Sequence, residues 1–279
     1  MRSLPYGKRR VTQVDGLRCS VGCSYRLPLY LYGRVTTRVA ADSKSLVVRR
    51  ASHAVMRYPS ARISRVVAGS RVQWDAAALA LCGSSSIAIV FLGAYGRPSA
   101  YFRPVQLQHS PLDQVLYEFV RQERWPEHYA NWLRAERMRV LESWRADTLT
   151  AGHNVQESMF QMFLRKHVYR NEDPMLGVAG EALFQSALSA YALEQSQNAG
   201  VATHYIGDGG RPLNLVSDIT ELLTLVLFLQ IHGIGDALDG EEAALLWALH
   251  TFGSTLSSYC TAMFGRLHRR LREQAEEWR

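Results

Sequence analysis

Two acidic residues stand in the most apolar stretch of the chain. Asp218 and Glu221 are three positions apart within residues 215–231, a segment that is otherwise apolar nearly all round. On a helix, this spacing places both carboxylates on one face. Burying a carboxylate is costly unless it is paired or bound to a metal ion, so the pair predicts an ion-pair or metal site. The alternative is a solvated helix N-terminus, where acidic residues are also favourable.

Positive charge is concentrated in the first part of the chain. Residues 1–103 hold 17 Lys and Arg against 3 Asp and Glu, a net charge of +14, whereas residues 104–279 hold 15 against 22, a net charge of −7. Nearly all of the cations are arginines, whose forked donors suit phosphate oxygens. The asymmetry predicts nucleic-acid binding, with Arg62, Arg65 and Arg71 as contacts. The alternative is a basic surface that is merely solvated.

Cysteine usage and hydropathy narrow the class of protein. Cys19 and Cys23 have no second Cys or His pair nearby to complete a zinc site, so the four cysteines predict reduced thiols. The longest apolar run is shorter than the roughly 20 residues that span a bilayer. No apolar run follows the basic N-terminus, so no signal peptide is expected. We therefore expect a soluble, cytoplasmic protein without a membrane partner.

The hydrophobic pattern changes once along the chain. Residues 28–103 show short segments rich in β-branched and aromatic residues, interrupted by one short helix at 75–82. From residue 112 onward, apolar residues recur with helical spacing. The predicted fold class is α+β, with a small N-terminal β domain followed by a C-terminal all-α domain. The predicted divisions are a basic tail (1–27), a β domain (28–103), a linker (104–111) and a helical domain (112–279).

Several motifs lie in a characteristic order. The N-terminal half contains Pro-Leu-Tyr-Leu-Tyr-Gly at 28–33, a hydrophobic strand at 62–69, a helix at 75–82 and a second strand ending at Gly93. The helical half contains Arg-Asn-Glu-Asp-Pro at 170–174, Gly-Glu at 180–181, and Arg-Pro-Leu-Asn-Leu-Val-Ser-Asp-Ile-Thr-Glu at 211–221. Over residues 28–231, this order resembles the Cas1 family of CRISPR adaptation integrases.

The resemblance implies a metal-dependent DNA integrase or endonuclease. Such a protein transfers the 3′-hydroxyl end of a captured DNA fragment onto a phosphodiester of a CRISPR repeat. Phosphoryl transfer requires an aligned nucleophile and neutralisation of charge on the phosphate. The family holds a divalent ion with a Glu, a His and a further acidic residue, and hard oxygen ligands suit Mg²⁺ or Mn²⁺.

Some of the implied ligands are ambiguous in this sequence. Asp218 and Glu221 match the family segment directly. In the family, the metal-binding Glu is bracketed by glycines, and aligning that pattern with Leu-Gly-Val-Ala-Gly at 176–180 would place Ala179 at the position of the Glu. Aligning the sequence on Asp-Pro at 173–174 instead selects Glu157. Counting back from Arg-Pro-Leu at 211–213 without a gap places Asp208 at the position of the family's metal-binding His. Allowing a small insertion in this loop places His204 there instead. These departures keep open a degenerate member without catalysis.

The resemblance also implies partners. These are double-stranded DNA, as spacer precursor and as CRISPR repeat, a small Cas2-type protein, and a second copy of the chain in a homodimer. Three hypotheses compete: a metal-dependent integrase, a catalytically degenerate DNA-binding scaffold, and an unrelated arginine-rich nucleic-acid-binding module.

Overall fold

A computed structural model describes residues 26–277, except for residues 34, 94–96, 105–109, 153, 170–180, 203–204, 206–212 and 233–240. Most of the predicted tail and linker, the motif at 170–174, His204 and Asp208 therefore lie outside the described residues.

Among the described residues, the N-terminal part contains eight strands, one α-helix and a short 3-10 helix (Ser60–Arg62). The strands and the α-helix are β1 (Leu27–Leu31), β2 (Thr37–Asp42), β3 (Ser45–Arg50), β4 (Met56–Pro59), β5 (Ile63–Ala68), β6 (Val72–Trp74), α1 (Ala76–Ser84), β7 (Ala88–Leu92) and β8 (Pro98–Phe102). One sheet has the order β1-β5-β7-β8 and the other has the order β4-β3-β2-β6. The predicted strands are present, but β4 and β6, each only three or four residues long, were not predicted from the sequence.

Strand β5 is buried on both faces because its sheet lies between two hydrophobic cores. Val66 and Ala68 contribute to the core shared with the second sheet and α1, whereas Val67 contributes to the core of the helical part. Adjacent residues of a strand point to opposite faces. A sheet covered on both sides therefore requires an almost continuous apolar run, as in the segment that forms β5.

The C-terminal part is helical. Its helices are α2 (Pro111–Phe119), α3 (Trp125–Thr150), α4 (Glu157–Phe163), α5 (Glu181–Asn198), α6 (Leu215–His232) and α7 (Glu241–Glu277), and a π-helical segment (Leu164–Tyr169) continues α4. Helix α2 begins with a hydroxyl cap, in which Ser110 Oγ accepts a hydrogen bond from the Asp113 amide at 3.1 Å. The predicted order, strands followed by helices, is confirmed.

Helix α5 connects the two parts by packing against β5 and β7. Helix α6 packs between α5 and α3, and its apolar side chains from Leu215 to Leu229 are largely buried, as its sequence predicts. None of the described helices is long and apolar enough to cross a membrane.

Candidate functional site

The first two turns of α6 position both predicted carboxylates. Asn214 caps the helix, because its Oδ1 accepts a hydrogen bond from the Ser217 amide at 3.1 Å. Asp218 follows in the first turn, partly buried, and Glu221 lies one turn further with 48% of its side chain exposed. The buried Ile219 and Leu222 anchor this turn to the core. The helix therefore presents both acids at the edge of an apolar core.

Helix α3 supplies a partner for each of these carboxylates. Tyr129 donates its hydroxyl hydrogen bond to Asp218 Oδ2 at 2.9 Å, and Arg137 Nη2 donates to Glu221 Oε2 at 3.0 Å. Only 10% of the Arg137 side chain is exposed. Burial raises the pKa of Tyr129 well above its usual value, and the Asp218 carboxylate raises it further. Tyr129 therefore remains a protonated donor at neutral pH.

Glu157 lies at the start of α4 and also bonds to α3. Arg145 Nη2 donates to Glu157 Oε2 at 2.9 Å, and Gln161 Nε2 donates to Glu157 Oε1 at the same distance. The Arg145 guanidinium also stacks over the ring of Phe160, 4.6 Å from its centroid. The Glu157 side chain is 60% exposed, so it is accessible from solvent.

Three residues of α3, spaced at intervals of eight positions, thus donate hydrogen bonds to the three predicted carboxylates. The helical rise places Arg145 about 12 Å along the axis from Arg137, and Arg137 about 12 Å from Tyr129. Consistent with this spread, the described residues contain no group of three His, Cys, Asp or Glu side chains that could hold a metal ion. The described structure pairs Asp218 with Glu221 on α6 but does not gather Glu157 with them into such a group. The roles of His204 and Asp208 stay predictions.

The donor types nevertheless suit a hard divalent cation. All three described candidates are carboxylates, which Mg²⁺ and Mn²⁺ prefer over softer ligands. Each already accepts at least one hydrogen bond from the protein, which orients the carboxylate, as hydrogen-bond donors behind metal ligands do. The arginines at Glu221 and Glu157 also offset negative charge where no cation is present.

Sequence reasoning missed the α3 partners, although a signal was available. The buried stripe of α3 runs through Tyr129, Leu133, Val140 and Trp144, with buried residues at 136 and 137 between them. At those two positions the sequence has Glu and Arg instead of apolar residues. Charged residues within an otherwise apolar helical stripe require partners, and this pattern points to an ion-pair site.

His167 is a further residue near this site that the sequence analysis did not select. It lies in the π-helical segment, with its ring 6.1 Å from those of Phe163 and Phe228. Burial lowers the pKa of His167 to about 4, with smaller contributions from Lys166 and Arg137. Its Nε2 atom is buried and has no hydrogen-bond partner among the described residues. His167 is therefore neutral at physiological pH.

The three predicted DNA-contact arginines differ in their positions. Arg62 and Arg71 are exposed near the two ends of β5, where they are accessible to a ligand. Arg65 is buried and forms an ion pair with Glu194 of α5 at 2.5 Å. The prediction for Arg65 is corrected accordingly: because both faces of β5 are covered, its side chain bonds to a helix instead of facing solvent.

Comparisons with known proteins give one match to a family model and several solved structures with a similar fold. Residues 30–142 match the family model described as CRISPR associated protein Cas1. A search of curated proteins finds no match.

Solved structures share the fold along most of the chain. A CAS1 protein from Thermotoga maritima is 15% identical with a TM-score of 0.63, over 88% of this chain and 97% of that one. TtCas1 is 12% identical with a TM-score of 0.58, over 88% and 98%. A casposase bound to integration product is 12% identical with a TM-score of 0.56, over 89% and 91%. Residues 30–142 thus match the Cas1 family model, and the chain shares its fold with solved Cas1 proteins along most of its length.

Proposed function

We propose that this chain is a CRISPR adaptation integrase that joins the 3′-hydroxyl ends of a DNA fragment to phosphodiesters of a CRISPR repeat. The observation that carries the proposal is the acidic pair Asp218 and Glu221 at the start of α6, fixed by Tyr129 and Arg137 of α3. The match of residues 30–142 to the Cas1 family model supports a catalytic interpretation of this pair. It also favours this proposal over an unrelated arginine-rich module.

The proposed reaction is a phosphoryl transfer between two DNA strands. The incoming 3′ oxygen loses its proton and forms a bond to phosphorus, while the bond from phosphorus to the leaving 3′ oxygen breaks and that oxygen takes up a proton to become a new 3′-hydroxyl. One phosphodiester replaces another, so no external energy source is required. Catalysis of such a step rests on positioning and on stabilising the charge of the phosphate.

A divalent cation, Mg²⁺ or Mn²⁺, would be held by Asp218 and Glu221, with Glu157 and either His204 or Asp208 as the further ligands that the family resemblance implies. When bound, it would supply positive charge to the phosphate oxygens. Tyr129 would orient Asp218 by donating to one of its oxygens. Arg137 would hold Glu221 and add a fixed positive charge, which favours a transferring phosphoryl group.

The proposed partners follow from the same activity. Double-stranded DNA would be the substrate, as spacer precursor and as repeat, and a small Cas2-type protein would complete the complex. A homodimer held by the N-terminal sheets would present two copies of the site, one for each end of the fragment. Exposed sheet edges commonly pair with another chain, which favours this part of the molecule as the dimer contact. Light scattering at micromolar concentration should give the mass of a dimer.

A second candidate function is a DNA-binding scaffold without catalysis. It is favoured by a specific observation: within the described residues, each candidate carboxylate already bonds to a protein donor, and no three of them group together. In that case, the ion pairs with Arg137 and Arg145 would be permanent structural contacts.

An integration assay separates the two functions. Purified protein and its Cas2-type partner are incubated with a supercoiled repeat plasmid and a labelled duplex, in Mg²⁺, Mn²⁺ or EDTA. We expect label to become covalently joined to the plasmid in either metal, but not in EDTA. A duplex with 3′-dideoxy ends is the matched control and should give no product. Duplex binding without joining in either metal would favour the scaffold.

A further inference from the structure

The ion pair between Arg137 and Glu221 joins a buried side chain to an accessible one. Only 10% of the Arg137 side chain is exposed, whereas 48% of the Glu221 side chain is. Arg137 belongs to the buried stripe of α3, one turn from Leu133 and one turn from Leu141, which are themselves buried. The guanidinium is therefore held in place by packing, while the carboxylate can still be reached from solvent.

The positive charge of Arg137 also acts on two neighbouring side chains. Burial and the Asp218 carboxylate raise the pKa of Tyr129, whereas Arg137 acts to lower it. Burial lowers the pKa of His167, and Arg137 lowers it further. Both effects have the sign expected of a nearby cation, which favours a tyrosine anion and disfavours an imidazolium. Since a guanidinium keeps its charge in proteins, a permanent cation stands beside the carboxylate site.

The ion pair between Arg145 and Glu157 differs because both of its members are accessible. Their side chains are 39% and 60% exposed, so water screens this pair and its effect on other charges is small. Glu221, in contrast, meets a guanidinium that is almost fully buried, at the edge of an apolar core where charges interact more strongly than in water. Arg137 is therefore the arginine expected to influence what binds to Asp218 and Glu221.

The charges of these three side chains are balanced when a divalent cation and a phosphate bind together. Two carboxylates, Asp218 and Glu221, and one guanidinium, Arg137, give a net charge of −1. A divalent cation alone would change this value to +1, and one phosphodiester would then return it to zero. Uncompensated charge at the edge of an apolar core is costly, so the two ligands should bind more favourably together than separately.

We propose that Arg137 competes with the divalent cation for Glu221, so that the carboxylate site takes up the metal ion together with a DNA phosphate. Resting on the proposed function, this inference makes Arg137 a positioning residue that sets the affinity of the site for metal. The competition has two sources: Arg137 Nη2 donates to Glu221 Oε2 at 3.0 Å, and its charge repels an approaching cation.

Electron paramagnetic resonance of Mn²⁺, which detects the free ion, tests the competition without any reaction. Mn²⁺ is titrated in the absence of DNA into the wild type, Arg137→Met, Arg137→Lys and Arg134→Met. Methionine removes the charge, lysine keeps it, and Arg134 is an exposed arginine of α3 whose loss changes the total charge equally. We expect Arg137→Met to bind Mn²⁺ about tenfold more tightly than the wild type, because a fixed positive charge is lost. The other two variants should stay within about twofold of the wild type.

The coupling to DNA is measured by repeating the titration with a duplex that has 3′-dideoxy ends, so that no strand transfer occurs. The Mn²⁺ bound by the same duplex alone is subtracted. DNA should tighten Mn²⁺ binding by about tenfold in the wild type but by about threefold or less in Arg137→Met, and the duplex affinity should rise by the same factors when Mn²⁺ is added. Circular dichroism confirms the fold of each variant. Arg137→Gln, which keeps an N–H donor for Glu221, is a second neutral variant if Arg137→Met folds poorly.

The inference is wrong if the neutral variants of Arg137 bind Mn²⁺ no more tightly than Arg134→Met, or if DNA tightens Mn²⁺ binding equally in the wild type and in those variants. These outcomes are independent of the integration assay. A protein that joins DNA, but whose Arg137→Met variant gains no Mn²⁺ affinity, retains the proposed function without this inference. A protein that joins no DNA, but whose Arg137→Met variant shows the expected gain and the reduced coupling, supports the inference and contradicts the proposed catalysis.

Discussion

Arg65 Nη1 of β5 lies 2.5 Å from Glu194 Oε2 of α5, although the two residues are 129 positions apart in sequence. The guanidinium also stacks over the ring of Tyr191, 4.7 Å from its centroid. The side chains are 8% and 20% exposed, so water screens this pair weakly. The contact connects the strand-rich part to the helices and fixes how α5 lies on the sheet.

Removing one member of this pair should destabilise the protein. Glu194→Ala leaves a buried guanidinium without its partner, which should lower the free energy of unfolding by about 3 kcal/mol. Chemical denaturation followed by circular dichroism measures the change. Asp42→Ala, which breaks the exposed pair with Arg57, is the matched control and should cost less than about 1 kcal/mol. Equal losses in the two variants would contradict a buried structural role for Arg65.

Arg38 and Arg49 are directly opposite each other on β2 and β3, and both are exposed. Like charges in a cross-strand pair destabilise a sheet by up to roughly 1 kcal/mol. We therefore expect Arg49→Thr to raise the melting temperature at low ionic strength. The gain should disappear in about 1 M salt, where the screening length is about 3 Å. A gain that is independent of salt would indicate β-propensity instead of charge repulsion.

The half-buried His167 should make stability depend on pH. Its pKa of about 4 in the folded protein is below the usual value of 6.5, so the unfolded chain binds the proton more readily. The stabilisation is fully present above pH 6.5 and is lost as pH falls toward 4. His167→Phe keeps an aromatic ring beside Phe163 and Phe228 but cannot take up a proton. Between pH 7 and pH 5, the melting temperature of the wild type should fall further than that of the variant. Parallel curves would contradict the assignment.

The sequence predicted the fold well because the pattern of hydrophobic residues changes period at the linker. Strands β5 and β7 and helices α2 and α6 were predictable from apolar runs and spacing. Strands β4 and β6 were not, since three or four residues carry too little periodicity and depend on pairing with β3 and β2. The burial of Arg65 could also not be predicted from the hydrophobic pattern. A single arginine in a strand gives no sign of a helix 129 residues later that covers it.

The candidate site was predictable only in part. The helical spacing of Asp218 and Glu221 follows from local geometry, and the structure has both on α6. Their partners on α3 depend on how two distant helices cross, which local spacing does not determine. Glu136 and Arg137 show the difference: adjacent in sequence, they bond to α7 and α6 respectively.

Duplex DNA binding should depend steeply on salt and on the exposed arginines of the N-terminal part. Arg62→Ala/Arg71→Ala should reduce the slope of log affinity against log salt by about 1.8, because two phosphate contacts are lost. Fluorescence anisotropy with duplexes of unrelated sequence should show the same loss for each. The Arg121→Ala/Arg272→Ala variant controls for total charge. If the Arg62/Arg71 variant keeps the wild-type affinity and slope, the DNA-binding surface lies elsewhere.

The central claim, that the acidic pair on α6 performs strand transfer, is tested most directly by Glu221→Gln. This change keeps the size of the side chain but removes the charge beside Arg137. We predict that the rate of joining a 3′-hydroxyl duplex to a repeat plasmid in Mn²⁺ falls by about 100-fold or more, as expected when charge stabilisation is removed from a reacting centre. Duplex binding should stay within about twofold of wild type, and Glu142→Gln, an exposed glutamate on α3, should leave both quantities unchanged. A Glu221→Gln protein that joins DNA at the wild-type rate would contradict the account.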